Sequence, residues 1–344
     1  ATERTPEQCF WVQQSTGLQR TWEIIRLAAA AGQSIERTKD ALRKCASLDE
    51  AVDRYVDKLA PVDRSHRVFE QRAHALIASD LDDYDALLDV RQAVRRAWRS
   101  WADTLNRTFF ELCRANGVLP QRDLRQRAIY EDMVHPRVQS GERVALFLVD
   151  ALRFEMAQAL AQELKRDRFR IGLSARLAEL PTDTAIGMNA LAPTERSGRL
   201  RAVIKDGSIQ GFYSGEFAVC TPSARVQAMT SRSLTSTAED LELEEFNDLS
   251  LTQLKRRLAG KPGLVVVRSR ELDTAGEHGL HLGTFDQTFR LLKSALSLLQ
   301  QAGIEGFVIT SDHGFLLQDS TAENIPFGSS KRAPERRHAL LSAP

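Results

Sequence analysis

The chain has 344 residues, with 47 Lys and Arg against 46 Asp and Glu and a formal net charge of +1. That balance gives no domain-wide basic field of the kind that marks a general nucleic-acid binder, so any nucleic-acid contact has to be local. The length exceeds the usual single core and calls for two domains. No apolar run approaches the ~20 residues of a membrane span, and Cys9, Cys45, Cys113 and Cys220, scattered with no C-x-x-C pair, read as reduced thiols of a cytoplasmic protein.

The first third is helical by pattern. Ser47-Leu48-Asp49-Glu50 is a capping box, followed by Val52, Val56 and Leu59 at helical spacing before Pro61. A long helix is predicted from Tyr84 to about Ala115, with Leu87, Leu88, Val94, Trp98, Trp101, Leu105, Phe109 and Leu112 as its apolar stripe and Asn116-Gly117 as its stop. Arg95, Arg96 and Arg99 interleave with Trp98 and Trp101, a pattern that suits a nucleic-acid face; tryptophans at helical spacing beside arginines more often make a core stripe next to a solvated one. A hinge is expected around His135-Pro136 and Ser140-Gly141, so that residues 1–135 form a helical N-terminal domain and residues 142–344 a second domain.

The second domain opens on Val144-Ala145-Leu146-Phe147-Leu148-Val149, closed by Asp150. Behind it Leu152, Met156, Leu160 and Leu164 recur every four residues, giving strand, acid, helix. In Leu180-Pro181-Thr182-Asp183-Thr184, Pro181 disfavours helix at Leu180 and either Asp183 or Thr184 can cap a short helix that ends before Pro193. A threonine there faces the unpaired N–H groups and positive dipole end that favour a phosphate. The polar run from Thr230 to Thr237 and the acids Glu239, Asp240, Glu242, Glu244 and Glu245 lack periodicity and read as a lid or loop. The apolar run Leu264-Val265-Val266-Val267 is followed by Asp273, and Ile309-Thr310-Ser311-Asp312-His313-Gly314 sets an acid and a histidine side by side where a strand runs into a glycine turn.

Near-continuous apolar runs alternating with helices read as an α/β fold, a mostly parallel sheet covered by helices on both faces. Its ligand crevice lies at the carboxyl ends of the strands, and three strand ends carrying acids point to one shared site. Each residue alone has a plainer role: Asp150, Thr182 and Thr184 as helix caps, Asp312 and His313 as turn residues, His338 as a histidine on a basic turn, and Arg153 as half of an intrahelix ion pair rather than a phosphate contact.

The set Leu148-Val149-Asp150-Ala151-Leu152-Arg153, Leu180-Pro181-Thr182-Asp183-Thr184-Ala185, Glu271-Leu272-Asp273-Thr274-Ala275-Gly276-Glu277 and Thr310-Ser311-Asp312-His313-Gly314-Phe315 resembles the PglZ domain. That family belongs to the alkaline phosphatase superfamily and works in BREX bacteriophage-defence systems. The resemblance covers roughly Val144 to His338 and leaves out the first third. It implies an alkaline-phosphatase-like core holding two divalent metals, commonly zinc. One metal falls to Asp150, Thr184, Asp312 and His313, with Thr184 in the nucleophile position; the other falls to Asp273, His338 and either His278 or Glu277. The superfamily often places a histidine where this chain has Glu277, and His278 lies one residue further on.

Mixed Asp and His ligands without cysteine suit catalytic zinc or manganese rather than a structural zinc. Two metals beside a phosphoryl group act as Lewis acids at both the attacking and the leaving oxygen. The reading is therefore a metal-dependent phosphohydrolase, of the phosphodiesterase type, with a threonine nucleophile. Its expected partners are other BREX defence proteins, and its expected substrate is a phosphate ester, a nucleotide or nucleic acid, with no membrane involved. The alternative is a PglZ-like scaffold with a structural or degenerate metal site that assembles a defence complex. The chain stops at Pro344 just after Ala339-Leu340-Leu341 and reads as a piece of a longer protein.

Overall fold

A computed structural model describes residues 9–167, 169–233, 237–277 and 283–317. The chain forms two compact units, the first built from the residues up to Leu119 and the second from Pro120 to Phe315.

The first unit is all helical. Helices α1 (Phe10–Gln14) and α2 (Thr16–Thr38) are followed by α3 (Leu48–Arg54), which the Ser47 hydroxyl caps by accepting from the Glu50 N–H at 3.1 Å. The Glu50 carboxylate reaches back to the Ala46 N–H, one residue earlier than in a standard capping box. Helix α3 does not stop before Pro61. It passes through a π turn (Tyr55–Leu59) into α4 (Ala60–Leu76), with Pro61, which has no N–H to donate, directly after the wider turn. Helix α5 (Tyr84–Asn116) ends at Gly117, whose φ of +79° suits a residue without a side chain.

Trp98 and Trp101 are buried in this unit among Ile35, Leu42, Leu59 and Val62. The Trp98 indole N–H donates to Asp63, and His66 stacks on the Trp98 ring at 4.4 Å. Arg91 and Arg95 both bind the Glu70 carboxylate at 2.8 Å. Burial alone would raise the pKa of Glu70; the two arginines outweigh it and hold the group below the usual carboxylate range. The tryptophan stripe is therefore core, and Arg95 serves an internal acid.

The second unit contains α6 (His135–Gln139), β1 (Val144–Val149), α7 (Phe154–Arg166), α8 (Thr184–Ala190), β2 (Ala202–Lys205), β3 (Ser208–Ser214) and β4 (Phe217–Val219). It continues with α9 (Pro222–Ser233), β5 (Ala238–Glu242), α10 (Leu251–Arg257), β6 (Leu264–Ser269), α11 (Glu271–Glu277), α12 (Gly283–Gln301) and β7 (Gly306–Thr310). Four strands make a parallel sheet in the order β5-β6-β1-β7, with Val144 in register with Leu264 on one side and Gly306 on the other. All six residues of β1 are buried, as expected of a central strand covered on both faces. The fold is thus α/β, a parallel sheet with helices on it, preceded in sequence by an α-helical unit. Among the described residues no helix is long and apolar enough to cross a membrane.

Two sequence expectations differ from the structure. The hinge expected near His135-Pro136 lies inside the second unit, because Ile129, Tyr130, Val134 and Val138 fill the sheet face that carries Val144, Leu146 and Leu148. Ending a domain at residue 135 would bare those side chains, and the compact units divide at Leu119–Pro120 instead. Among the described residues of the stretch read as a lid, Thr230 to Ser233 close α9 and Ala238–Glu242 is the edge strand β5, while residues 234–236 lie outside the described residues. Its acids are held by arginines. Arg268 binds Asp240 at 2.8 Å and Glu242 at 2.7 Å, and Arg257 binds Glu239 at 2.8 Å. Charged side chains on an exposed edge also discourage pairing with another chain.

Candidate metal centre

The carboxyl ends of β1, β6 and β7 open on the same side, because the strands are parallel. Asp150 follows β1 directly, and its N–H donates to Ser269 O at the end of β6. Ala151 then takes a left-handed φ of +59°, a conformation that costs a non-glycine residue free energy and persists only where neighbours fix it. Here the Ala151 N–H donates to Asp312 Oδ1 at 3.0 Å and the Leu152 N–H to Ser311 Oγ at 2.9 Å. The loop after β1 is thereby stitched to the loop after β7.

Asp312 is fully buried. Its Oδ1 also accepts from the His313 N–H at 2.8 Å, while Oδ2 has no hydrogen-bond partner among the described residues. His313 places Nδ1 3.0 Å from Gly314 O, a position for an N–H, which leaves the lone pair on Nε2. That Nε2 lies 3.4 Å from Asp312 Oδ2, 3.8 Å from Asp150 Oδ1 and 3.1 Å from Thr184 Oγ1. Asp273, in the first turn of α11, completes a cluster in which one ligand atom each of Asp150, Asp273 and His313 lies within 4.8 Å of the others.

Thr184 is the first residue of α8, whose cap is Asp183, accepting from the Ala185 N–H at 3.0 Å. With Asp183 as the cap, the Thr184 hydroxyl is left for the cluster, 3.4 Å from Asp150 Oδ1. Burial first, then the charges of Asp312 and Asp273, push the Asp150 carboxyl up to about 9, against a smaller lowering by the Thr184 hydroxyl. No lysine or arginine pairs with Asp150 or Asp312 among the described residues. Buried carboxylates crowded together with an outward imidazole lone pair and an orphaned carboxylate oxygen match the donor set of a divalent cation site.

Of the residues expected here, Asp150, Thr184, Asp273, Asp312 and His313 are brought together. His278 and His338 lie outside the described residues, as does the side chain of Glu277 at the end of α11. Arg153, just ahead of α7, has a side chain only 4% exposed that sits 3.7 Å from Glu155 and lies over the Phe315 ring at 5.2 Å.

Three further residues position the site and were not singled out from sequence. Gln126 donates from Nε2 to Ser311 O and Asp312 O and accepts the Glu179 N–H on Oε1, clamping the loop after β7. Gly187, one turn into α8, faces the Asp312 backbone so closely that a Cβ would lie 2.5 Å from Asp312 O. Asn189 donates to Ala185 O and Gln210 O and accepts from Arg225 at 3.0 Å, tying α8 to β3 and α9. A lone glycine inside a helical pattern is a sequence signal of close approach; Gln126 and Asn189 carry none.

The family described as "BREX system PglZ alkaline phosphatase-like domain" matches residues 129–341, well over half of the chain. The chain belongs to the PglZ family. The match begins at residue 129, within the segment that packs on the sheet rather than at the expected hinge, in keeping with where the second unit begins. Among curated proteins this PglZ-family chain is 27% identical over 283 residues to the "Alkaline phosphatase-like protein BrxZ" of Escherichia coli, covering 77% of the chain and 30% of that protein. It is 23% identical over 285 residues to the "Alkaline phosphatase-like protein PglZ" of Bacillus cereus, covering 78% of the chain and 31% of that protein. The chain therefore spans less than a third of the length of these relatives.

Proposed function

We propose that the second unit is a metal-dependent phosphohydrolase acting on phosphodiesters, with Thr184 as its nucleophile, and that it serves in the cytoplasm in a BREX phage-defence system alongside other BREX proteins. The observation that carries the reading is the orphaned, fully buried Asp312 Oδ2 beside the His313 lone pair, with the Thr184 hydroxyl 3.1 Å from that lone pair at the start of a helix. A purely structural turn would have satisfied that oxygen internally. The defence role is supported by family membership and by the names of the two relatives.

In this proposal Asp150, Asp312, His313 and Thr184 hold one divalent ion, and Asp273, His338 and either His278 or Glu277 hold a second, zinc being favoured and manganese the alternative. Bound ions would supply Lewis acidity toward the phosphoryl oxygens and toward the hydroxyl. The chain's own part is positional. Thr184 Oγ1 forms a bond to phosphorus as the ester oxygen leaves in line, and the hydroxyl proton passes by way of Asp150 Oδ1, 3.4 Å away, to the departing oxygen, since the His313 Nε2 lone pair would be committed to the ion. Water then attacks the phosphothreonine, the P–Oγ1 bond breaks, and the proton returns to Thr184. Gln126 and Gly187 keep the loop after β7 and helix α8 in contact while this happens.

The test compares Thr184→Ala with Thr182→Ala on bis-(para-nitrophenyl) phosphate, with metal content measured in both. The expected result is loss of most turnover in the Thr184 variant with bound metal retained, and much of the rate kept in the Thr182 variant. Activity that survives Thr184→Ala but not Thr182→Ala would move the nucleophile to Thr182. Survival in both would replace the threonine by direct attack of water, and a wild-type chain that binds no divalent metal would favour the scaffold reading.

A further inference from the structure

A short 3₁₀ turn, Gln126–Ala128, leads into Ile129 and Tyr130, which are buried in the core against the sheet. Just ahead of it the chain runs beside the segment that approaches α8: the Leu177 N–H donates to Leu124 O at 2.8 Å and the Gln126 N–H to Leu177 O at 3.2 Å, the pattern of a parallel bridge. Two residues further on, Glu179 is held twice. Its N–H donates to Gln126 Oε1 at 3.0 Å, and its carboxylate takes one edge of the Arg127 fork, Nε on Oε1 at 2.6 Å and Nη2 on Oε2. The third nitrogen, Nη1, reaches Gly198 O at 3.4 Å. Both charged side chains are only 8% exposed.

Glu179 stands five residues before Thr184, with no helix between them. Within that loop the Asp183 N–H donates to Pro181 O at 2.8 Å, and the Asp183 carboxylate caps α8. The same Gln126 side chain that holds the Glu179 N–H donates to Ser311 O and Asp312 O. One turn thus grips the start of the threonine loop and also the loop that carries Asp312 and His313. For stability alone an ion pair is a poor choice at such a point, because the penalty of burying the charges offsets their attraction and a well-packed apolar pair does as well. A bidentate fork adds orientation: it fixes the distance and the plane of its partner carboxylate, which an apolar contact does not.

We propose that Arg127 is a positioning residue for the reaction at Thr184: with Gln126 it sets the start of the loop 179–183, and so the place of the Thr184 hydroxyl against Asp150 and His313. The proposal rests on the reading of Thr184 as nucleophile. It also widens the site. Gln126 and Arg127 precede residue 129, where the family match begins, so the groups that serve Thr184 include a turn outside the matched residues. A displacement of about 1 Å at a nucleophile costs on the order of a hundredfold in turnover, and a loop released at Glu179 gains that freedom.

The test replaces the pair by apolar residues of similar length, Arg127→Met/Glu179→Leu. The melting temperature should stay near that of the wild type. Hydrogen–deuterium exchange, measured in EDTA, should quicken over residues 179–187 and stay unchanged in β1 and α12. On bis-(para-nitrophenyl) phosphate kcat should fall about a hundredfold with KM nearly kept, the signature of an interaction used in the transition state. Arg127→Lys keeps the charge without the fork, and if the double variant does not fold, the same local quickening and a loss of kcat are expected of it; a pair that only stabilises would be rescued by lysine. Wild-type exchange over residues 179–187 in a folded variant would overturn the proposal, as would exchange that quickens equally across the whole second unit. Local quickening with wild-type kcat would overturn it too, since the loop would then be ordered without serving Thr184. Exchange is read without metal or turnover, so a wild-type chain that hydrolyses no diester sinks the phosphohydrolase reading by itself, while the exchange result still decides whether the pair sets the loop.

Discussion

Gly187 offers a direct measure of how tightly the threonine helix must meet the loop after β7. It lies three residues after Thr184, on the same face of α8. A Cβ at this position would sit 2.5 Å from Asp312 O and 2.8 Å from its carbonyl carbon and Cβ. Ordinary carbon contacts begin near 3.5 Å, so the helix and the loop would have to part by roughly 1 Å. Overpacking of that kind costs about 1–3 kcal/mol. A displacement of about 1 Å between nucleophile and site costs on the order of a hundredfold in turnover. Gly187→Ala should therefore unfold at a lower urea concentration and lose about two orders of magnitude in bis-(para-nitrophenyl) phosphate hydrolysis. The control is Gly32→Ala in α2, where an added Cβ meets nothing within 4 Å. That variant should gain up to about 1 kcal/mol from helix propensity and leave hydrolysis unchanged. A Gly187→Ala chain as stable and as active as the wild type would refute the close-approach argument.

Asp312→Asn keeps an acceptor for the Ala151 and His313 N–H groups while removing the charge at Oδ2; it should lose bound metal and activity with little change in melting temperature. Asp312→Ala strands both buried N–H groups and should in addition lose about 1–3 kcal/mol of stability; equal metal content in wild type and Asn variant would remove Asp312 from the site. In the metal-free chain the carboxyl of Asp150 keeps its proton up to about pH 9, while the unfolded chain releases it near the ordinary carboxylate value. Its contribution to stability is therefore complete at low pH and is lost as pH rises toward 9. Measured in EDTA, the urea midpoint of the wild type should fall relative to that of Asp150→Asn between pH 6 and 9, and saturating Zn²⁺ should abolish the trend with release of a proton near neutrality. A difference between the two chains that stays flat across that range would contradict the charge crowding. Limited proteolysis should cut first near Gly117, Val118 and Leu119, the last two about half exposed, and not within Tyr130 to Val138; early cleavage in the latter segment would restore the hinge at residue 135.

The chemistry-bearing residues that could be read from sequence are those whose neighbours in the chain announce them. Asp150 closes a run of six apolar residues, and Asp312-His313 follow another run, so strand-end acids are visible without any contact information. Thr184 is flagged by the Pro181 and Asp183 that start its helix. Gln126 is different, because its two acceptors are 185 and 186 residues away and nothing local marks a glutamine as a clamp. The edge strand Ala238–Glu242 was hidden for the opposite reason: three of its five residues are acids, and only their arginine partners on β6 and α10 make that composition compatible with a strand. The boundary at Pro120 was hidden because the helix-forming segment around Tyr130 declares its secondary structure but not which sheet its apolar side covers.

The same contrast explains how the site is held. Every polar group that faces away from the cluster is satisfied at close range: Asp312 Oδ1 by two backbone N–H groups, His313 Nδ1 by Gly314 O, and the carbonyls of Ser311 and Asp312 by Gln126. The atoms that face inward, Asp312 Oδ2 and His313 Nε2 together with the Asp150 carboxylate, are left to one another and to the Thr184 hydroxyl. Buried carboxylates repel, so in the metal-free chain Asp150 holds a proton that a divalent ion would displace, while the surrounding hydrogen bonds fix the side chains in place. The geometry is thus set without the ion. Preorganisation of this kind puts the cost of assembling the site into folding rather than into binding, which is why the decisive positions extend beyond the ligand set to Gln126, Ala151 and Gly187.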